Sequence, residues 1–535
     1  MWQQNYTPVG SSLPLSTLVA AIPIFVLLYL IGVRRVPAWK SALTGLAAAI
    51  LVALLGYGMP LRLVFSSTVF GMAFGLWPIG WVVFAAVLLY NITLESGKFE
   101  VIKDSIAHLA DDRRLQVLLI AFAFGAFIEG AAGFATPVAV AATMLTGLGF
   151  TPFYAAAICL LANTAPVAFG SIAIPITTLA VTTGLPVDRL SAGVGRICAP
   201  VSLFIPAYLI LVMSGWKALR AILPAAAVCG IVFAALQFLI TNFVGPQLTD
   251  IIASLCAMAA LVVLFQIWKP RDVAPGVRGG LPHSSKEVAL AWGPYILLVI
   301  CVLAWGYPPI TAWLASKTIV FQWPGLHNMV ERVPPVVARP SGYAAVFTFT
   351  WLAASGTAVF LAAILGSFVA GMAPAHFVKT IGRTAKQLML AELTLASVLA
   401  IAYVMNYSGA TATLGLAFAA TGVTFPFFSA WLGWLGVFLT GSDTSANALF
   451  GNLQVVTANK LSMNQTLMAA VNSAGGVMGK MISLTSVAVA AAVTKMKREE
   501  EALLFRFTLK HSLILTSAIG ALALFYAYVA PFWAP

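Results

Sequence analysis

The sequence predicts an all-α polytopic membrane protein of about twelve transmembrane helices plus two re-entrant hairpins, built as two inverted-topology repeats. Three observations carry that expectation. Charge is scarce, the charges present cluster between long apolar runs, and both halves carry matching interruptions in the same order. Of 535 residues, 61% are hydrophobic and 8% are charged, whereas a soluble domain carries about 25% charged residues. Fifty-eight residues without Asp, Glu, Lys or Arg separate Glu129 from Asp188, and a similar run separates Glu392 from Asp443. A bilayer core of about 30 Å needs only about 20 apolar residues in helical form. Lipid offers backbone groups no partner, so helices or closed barrels are required. The alternating segments that mark barrel strands do not occur.

The net charge of +13 comes from 29 Lys and Arg residues that stand in short loops, as topology signals do. No basic domain exists to hold nucleic acid. The five cysteines lie inside apolar segments with no disulfide or zinc spacing, and the five histidines are scattered singly. No metal or cofactor is therefore expected. The start MWQQNYTPVG has no basic residue, and Arg34, Arg35 and Lys40 follow the first apolar stretch. That pattern reads as a first membrane helix with its N-terminus outside, not as a cleaved signal.

Positive charge inside gives a consistent path. Residues 1–40 hold the N-terminal transmembrane helix, at about 13–33. Residues 41–220 form the first repeat: a helix at 41–57, another at 64–93, then a cytoplasmic loop from Glu95 to Arg114. Residues 221–351 are connecting helices (221–243, 248–268 and 287–306), a basic linker with Lys269, Arg271, Arg278 and Lys286, and a Pro-rich outer stretch at 307–342. Residues 352–494 form the second repeat, beginning with a helix at 352–372. Residues 495–535 form a cytoplasmic loop and a last helix at 511–530, which leaves both termini outside.

The repeats show as ordered matches at a nearly constant offset. Ala48-Ala49-Ile50-Leu51 matches Ala362-Ala363-Ile364-Leu365, Gly125-x-Phe127-x-x-Gly130 matches Gly436-x-Phe438-x-x-Gly441, and Asn163 and Gly170 match Asn472 and Gly479. One copy begins beside inside charges and the other ends beside them, so the halves are expected to lie in opposite senses. Inverted repeats are a device of secondary transporters, with a site near the midplane.

The interruptions also correspond. The first half breaks at Gly130-Ala131-Ala132-Gly133 and at Asn163-Thr164-Ala165-Pro166. The second breaks at Gly441-Ser442-Asp443-Thr444-Ser445 and at Asn472-Ser473-Ala474-Gly475-Gly476. Broken helices free backbone groups at membrane depth, which is tolerated only where they are buried in protein or line a wet cavity. Half-helix N-termini there suit an anion; ordinary kinks and small-residue seams are the plainer reading. Glu129 and Asp443 stand at these breaks. A carboxylate inside a membrane is costly unless hydrated, paired or neutralised by a proton, so both are candidate proton carriers. A capping role competes with that reading, most seriously for Asp443. Lys480 and Arg196 could pair with these acids or with a substrate carboxylate. Arg196 reads better as an interface marker, and Glu392, a turn or so inside a helix, as a weak candidate.

Longer stretches resemble the bacterial L-lactate permease family nearly end to end. They are Trp2-Gln3-Gln4-Asn5-Tyr6, GLWPIGWVVFAAVLLY from Gly75, GAFIEGAAGF from Gly125, NTAPVAFG from Asn163, NYSG from Asn406, GWLGVFLTGSDTSANALF from Gly433, GGVMGKMIS from Gly475 and LFRFTLKHSLI from Leu504. The sequence departs from the expected pattern at Ala135-Thr136-Pro137 and at Leu484. The resemblance implies proton-linked uptake of lactate, and often glycolate, across the bacterial inner membrane. The partners are then a small 2-hydroxy monocarboxylate, protons and the lipid bilayer, with the proton as coupling ion and both termini periplasmic. Residues 115–150 and 426–459 would be the hairpins. Asn163, Thr164, Ser442, Ser445, Asn472, Ser473 and Lys480 would bind substrate. Two rival readings are an ion–proton antiporter using the same acids and a passive organic-anion channel. A membrane enzyme would need a catalytic motif such as GxxxxGK[ST] or HExxH, and neither occurs.

Overall fold

The computed structural model describes residues 1–133, 136–270, 272, 274 and 281–534. Among these, eleven helices are long and apolar enough to cross a membrane, or thirteen if two bent pairs each count as one span. Two of the eleven contain hairpin arms. The remaining nine, the two bent pairs and the shorter helix Ser355–Val369 make the expected twelve. The described apolar segments are helical, but the connection at 307–351 adds two small sheets. Strand Trp2–Gln3 pairs in parallel with Val330–Arg332, which pairs antiparallel with Ser341–Gly342; Ile319–Gln322 pairs antiparallel with Val346–Phe349.

The first hairpin joins Arg113–Ala131 to Thr136–Gly147. Gly133, with φ of +61°, begins the reversal, and Arg113 Nη2 closes the base by donating to the Gly149 carbonyl at 3.0 Å. The second hairpin joins Phe425–Thr440 to Asp443–Lys460 through Gly441, whose φ of +73° suits glycine. Its arms pack so closely that a Cβ on Gly436 would meet the Ala446 Cβ at 2.7 Å. Each hairpin leads into a bent pair: Pro152–Ala162 with Val167–Thr183, bent by 64°, and Gln465–Ile482 with Leu484–Val493, bent by 40°.

The hairpin bases lie at opposite ends of the helix Ser285–Gly306. At the first base, Asp112 accepts from the Ala274 amide at 2.9 Å, in the segment preceding that helix. At the second base, Asn459 donates to the Val336 carbonyl at 3.2 Å, in the segment following it. That helix has 22 residues, about 30 Å at 1.5 Å per residue, long enough to cross a bilayer core and to put the two segments on opposite sides of it.

Four expectations change. The helix expected at 64–93 is two, Leu61–Phe74 and Trp81–Glu95, because Trp77 leaves helical geometry and Pro78 lacks an N–H. The last helix begins at Arg498 rather than 511. Glu499, Glu500 and Glu501 complement its N-terminal dipole, and Leu504 is fully buried, so these charges start a helix instead of marking a loop. The helix Gln465–Gly479 runs unbroken through Gly475 and Gly476, and its bend comes at Lys480–Ser483. Gly130 is likewise helical, within Gly125–Ala131. These three glycines permit close approach: a Cβ would run into the Ala430 carbonyl oxygen from Gly475, into Asp443 Oδ1 from Gly476, and into the Asp250 Cβ at 2.8 Å from Gly130. Pro166 does fall in a break, ahead of a short turn at Val167–Phe169.

The helices sort into two packed groups. One contains Ala38–Leu51, Leu61–Phe74, Trp81–Glu95, Ser285–Gly306, Ser355–Val369 and Pro374–Ser408. The other contains the hairpins, the bent pairs and the helices Val187–Ala221, Leu223–Phe243, Thr249–Ile267 and Arg498–Leu524. In element order, Arg498–Leu524 follows the second bent pair as Val187–Ala221 follows the first.

Candidate functional site

Both hairpin tips end on the bend of their own following pair. A Cβ on Gly133 would meet Ser171 Oγ, and one on Gly441 would meet Thr485 Oγ1. Ser171 also donates to the Ala132 carbonyl at 2.8 Å, and Ser171, Ile172 and Ala173 all have positive φ. Between these tips and the long helix Pro374–Ser408 lies a cavity of about 340 Å³, within the size range of small-molecule sites.

Glu129, Asp443 and Lys480 line the cavity with Ser442, Ser445 and Gly441. Lys480 is buried, donates from Nζ to the Gly441 carbonyl at 2.7 Å, and interacts electrostatically with both acids. An ammonium has three donors, so two remain for a ligand. Ser442 caps the helix Asp443–Lys460 by accepting from the Ser445 amide at 3.2 Å. Ser483 caps Leu484–Val493 by accepting from the Ser486 amide at 3.2 Å. Residues from the first turns of both helices reach the cavity wall. Two helix N-termini and a buried ammonium favour an anion there.

Asp443 is held on one side only. Its Oδ2 accepts from Ser473 Oγ at 2.6 Å and from Asn447 Nδ2 at 3.2 Å, while Oδ1 packs on Gly476 with no partner among the described residues. Asn472 lies deeper, donating to Asn447 Oδ1 at 2.9 Å and accepting from Gln454 Nε2 at 3.0 Å. Ser473 and Asn472 thus hold Asp443 and Asn447 in place and do not line the cavity. Asn163 and Thr164 do not line it either. Thr164 bonds its own helix at the Leu161 carbonyl, whereas Asn163 stands beside Glu129 without hydrogen-bond geometry. Glu129 packs against Gly170, and its Oε2 has no partner among the described residues. Arg196 is elsewhere, bonding Asn242 Oδ1 and the Trp533 carbonyl, each at 2.8 Å.

Three site residues escape sequence reading. Glu392, a weak candidate by position, lines the cavity from the opposite group with both oxygens unpaired and packs at Gly80, beside the break at Pro78. Asn447 sits inside an ordinary helical stretch, and Asp250 looks like a helix-start carboxylate. Ala135, one of the departures from the family pattern, lies outside the described residues. Leu484, the other, is the first residue after the Ser483 cap, a position where proline would be equally at home.

Multi-pass helices around a buried, charge-lined cavity, closed by two hairpin tips, define a membrane protein of the transporter class. The chain belongs to the L-lactate permease family, whose model matches residues 16–530. It is 44% identical over 553 aligned residues to the glycolate permease of Escherichia coli strain K12, covering 99% of this chain and 98% of that one. It is 42% identical to the L-lactate permease of the same strain, with both chains covered in full. The L-lactate permease of Bacillus subtilis strain 168 is 43% identical over 96% of each chain. Among solved structures, Neisseria gonorrhoeae MtrF aligns with a TM-score of 0.47 and 14% identity, covering 89% of this chain and 86% of that one.

Proposed function

We propose that this protein is a secondary active transporter that imports L-lactate, with D-lactate and glycolate as related substrates, by proton symport across a bacterial inner membrane. One observation carries the reading: a single buried lysine, with two donors free, faces two carboxylates at the meeting point of two hairpin tips. A 2-hydroxy monocarboxylate presents its carboxylate to Lys480 and to the capped N-terminus at Ser442. Bringing that anion beside Glu129 and Asp443 stacks negative charge at low dielectric. A proton taken up with the substrate relieves it, which is the physical basis of symport here. Names of the relatives, lactate and glycolate permeases alike, support this substrate class.

The opposed hairpin bases and the matching element order support two inverted repeats, and with them alternating access across the cavity. The test is uptake of labelled L-lactate into proteoliposomes under an imposed pH gradient. Accumulation above equilibrium is expected. Gradient-independent equilibration would favour a channel, and proton flux without lactate uptake would favour an ion–proton antiporter.

A further inference from the structure

Asp250, in the first turn of Thr249–Ile267, is 1% exposed, and neither of its carboxylate oxygens has a hydrogen-bond partner among the described residues. It does not cap its helix, since no side-chain cap bond exists at that end. It packs on Gly130, the residue after Glu129, and interacts electrostatically with Glu129 itself. It closely follows the turn at 244–248, which joins Leu223–Phe243 to its own helix. Asp250 therefore stands between that turn and the cavity acid.

We infer that Asp250 is a second proton-binding carboxyl, which passes the coupling proton between the turn at 244–248 and Glu129. The geometry that carries this is the packing of Asp250 on Gly130, next to Glu129, among buried polar atoms with no partner among the described residues: Asp250 Oδ1 and Oδ2, Glu129 Oε2 and the Asn163 amide. The titratable groups that reach Asp250 are Glu129 on the hairpin arm and Cys198 on Val187–Ala221. The packed helix Leu223–Phe243 contains no acidic or basic residue. The same arm's Arg113 and Arg114 lie at its base, about 20 Å of helix away from Glu129. The step is a transfer of one proton from water to an Asp250 oxygen, then from Asp250 to Glu129 Oε2. A hydronium ion is left as water in the first transfer, Asp250 is left as a carboxylate in the second, and no other bond changes.

The inference rests on the proton-symport reading, and the test separates the two. Full-length protein in proteoliposomes is assayed for lactate–lactate exchange and for pH-driven accumulation. Asp250→Asn is expected to keep exchange near the wild-type rate and to lose accumulation by about tenfold or more, with partial recovery in Asp250→Glu. Undiminished accumulation in Asp250→Asn overturns the inference while leaving symport standing. Loss of both activities in both variants marks a structural role and also overturns it. A wild-type protein that does not accumulate lactate brings down both readings.

Discussion

Around the second hairpin, Asp443, Ser473, Asn447, Asn472 and Gln454 form a continuous chain of side-chain hydrogen bonds. Around the first, Glu129 Oε2, both amide atoms of Asn163 and both oxygens of Asp250 have no partner among the described residues. The two regions share a frame, a glycine tip seated on a bent pair, yet the second is bonded from residue to residue, with Asp443 Oδ1 and Gln454 Oε1 left over among the described residues, and the first is not. A satisfied buried network fixes geometry, whereas unpaired buried polar atoms are costly. On the proposed reading the difference divides the labour: the second hairpin would be a rigid cradle for the anion, and the first the place where a proton and substrate groups change partners.

The largest expected effect breaks the cradle at its charge. Lys480→Gln removes the ammonium that faces the cavity, and lost hydrogen bonds to charged groups cost about 1.5–3 kcal/mol. Exchange and accumulation should both fall by roughly 10- to 100-fold, measured as initial rates of labelled lactate entry. Unchanged exchange would remove Lys480 from the substrate site. Next in size is a paired stability test. Asn447→Ala strands Asn472 Nδ2, removes a donor to Asp443 Oδ2 and should destabilise by about 1–3 kcal/mol. Asn163→Ala removes an amide that makes no bond and should cost clearly less, while still impairing transport. Melting temperatures in detergent check the order, and equal losses would erase the asymmetry between the hairpins.

A smaller effect is expected at the base of the first hairpin. Burial alone would raise the Asp112 carboxyl pKa, but the Arg114 guanidinium at 2.7 Å and the Ala274 amide hold it below its ordinary value. A depressed folded pKa contributes stability above the unfolded value and loses it as pH falls through the folded one. Asp112→Asn should therefore lower the melting temperature at pH 7, by the equivalent of about 1 kcal/mol. The gap to wild type should narrow below about pH 4. A gap independent of pH would mean that Asp112 acts through packing alone.

The membrane class, the helix count and both hairpins were legible because charge depletion and glycine interruptions are written in local sequence. Glu129, Asp443 and Lys480 were legible for the same reason: each stands out in an apolar run. Asn472 was read as a ligand because it shares a break-like stretch with Gly475 and Gly476. Those glycines turn out to seat a helix against Ala430 and Asp443, and composition alone does not distinguish a packing glycine from a breaking one. Glu392 and Asp250 gain their places from contacts with Gly80 and Gly130, pairings between distant segments that no local pattern encodes.

The division between cradle and proton path is tested most directly by Glu129→Gln, with lactate–lactate exchange and pH-driven accumulation measured on the same proteoliposomes. The account predicts that exchange persists while accumulation collapses. Equal loss of both, or full retention of both, would contradict it.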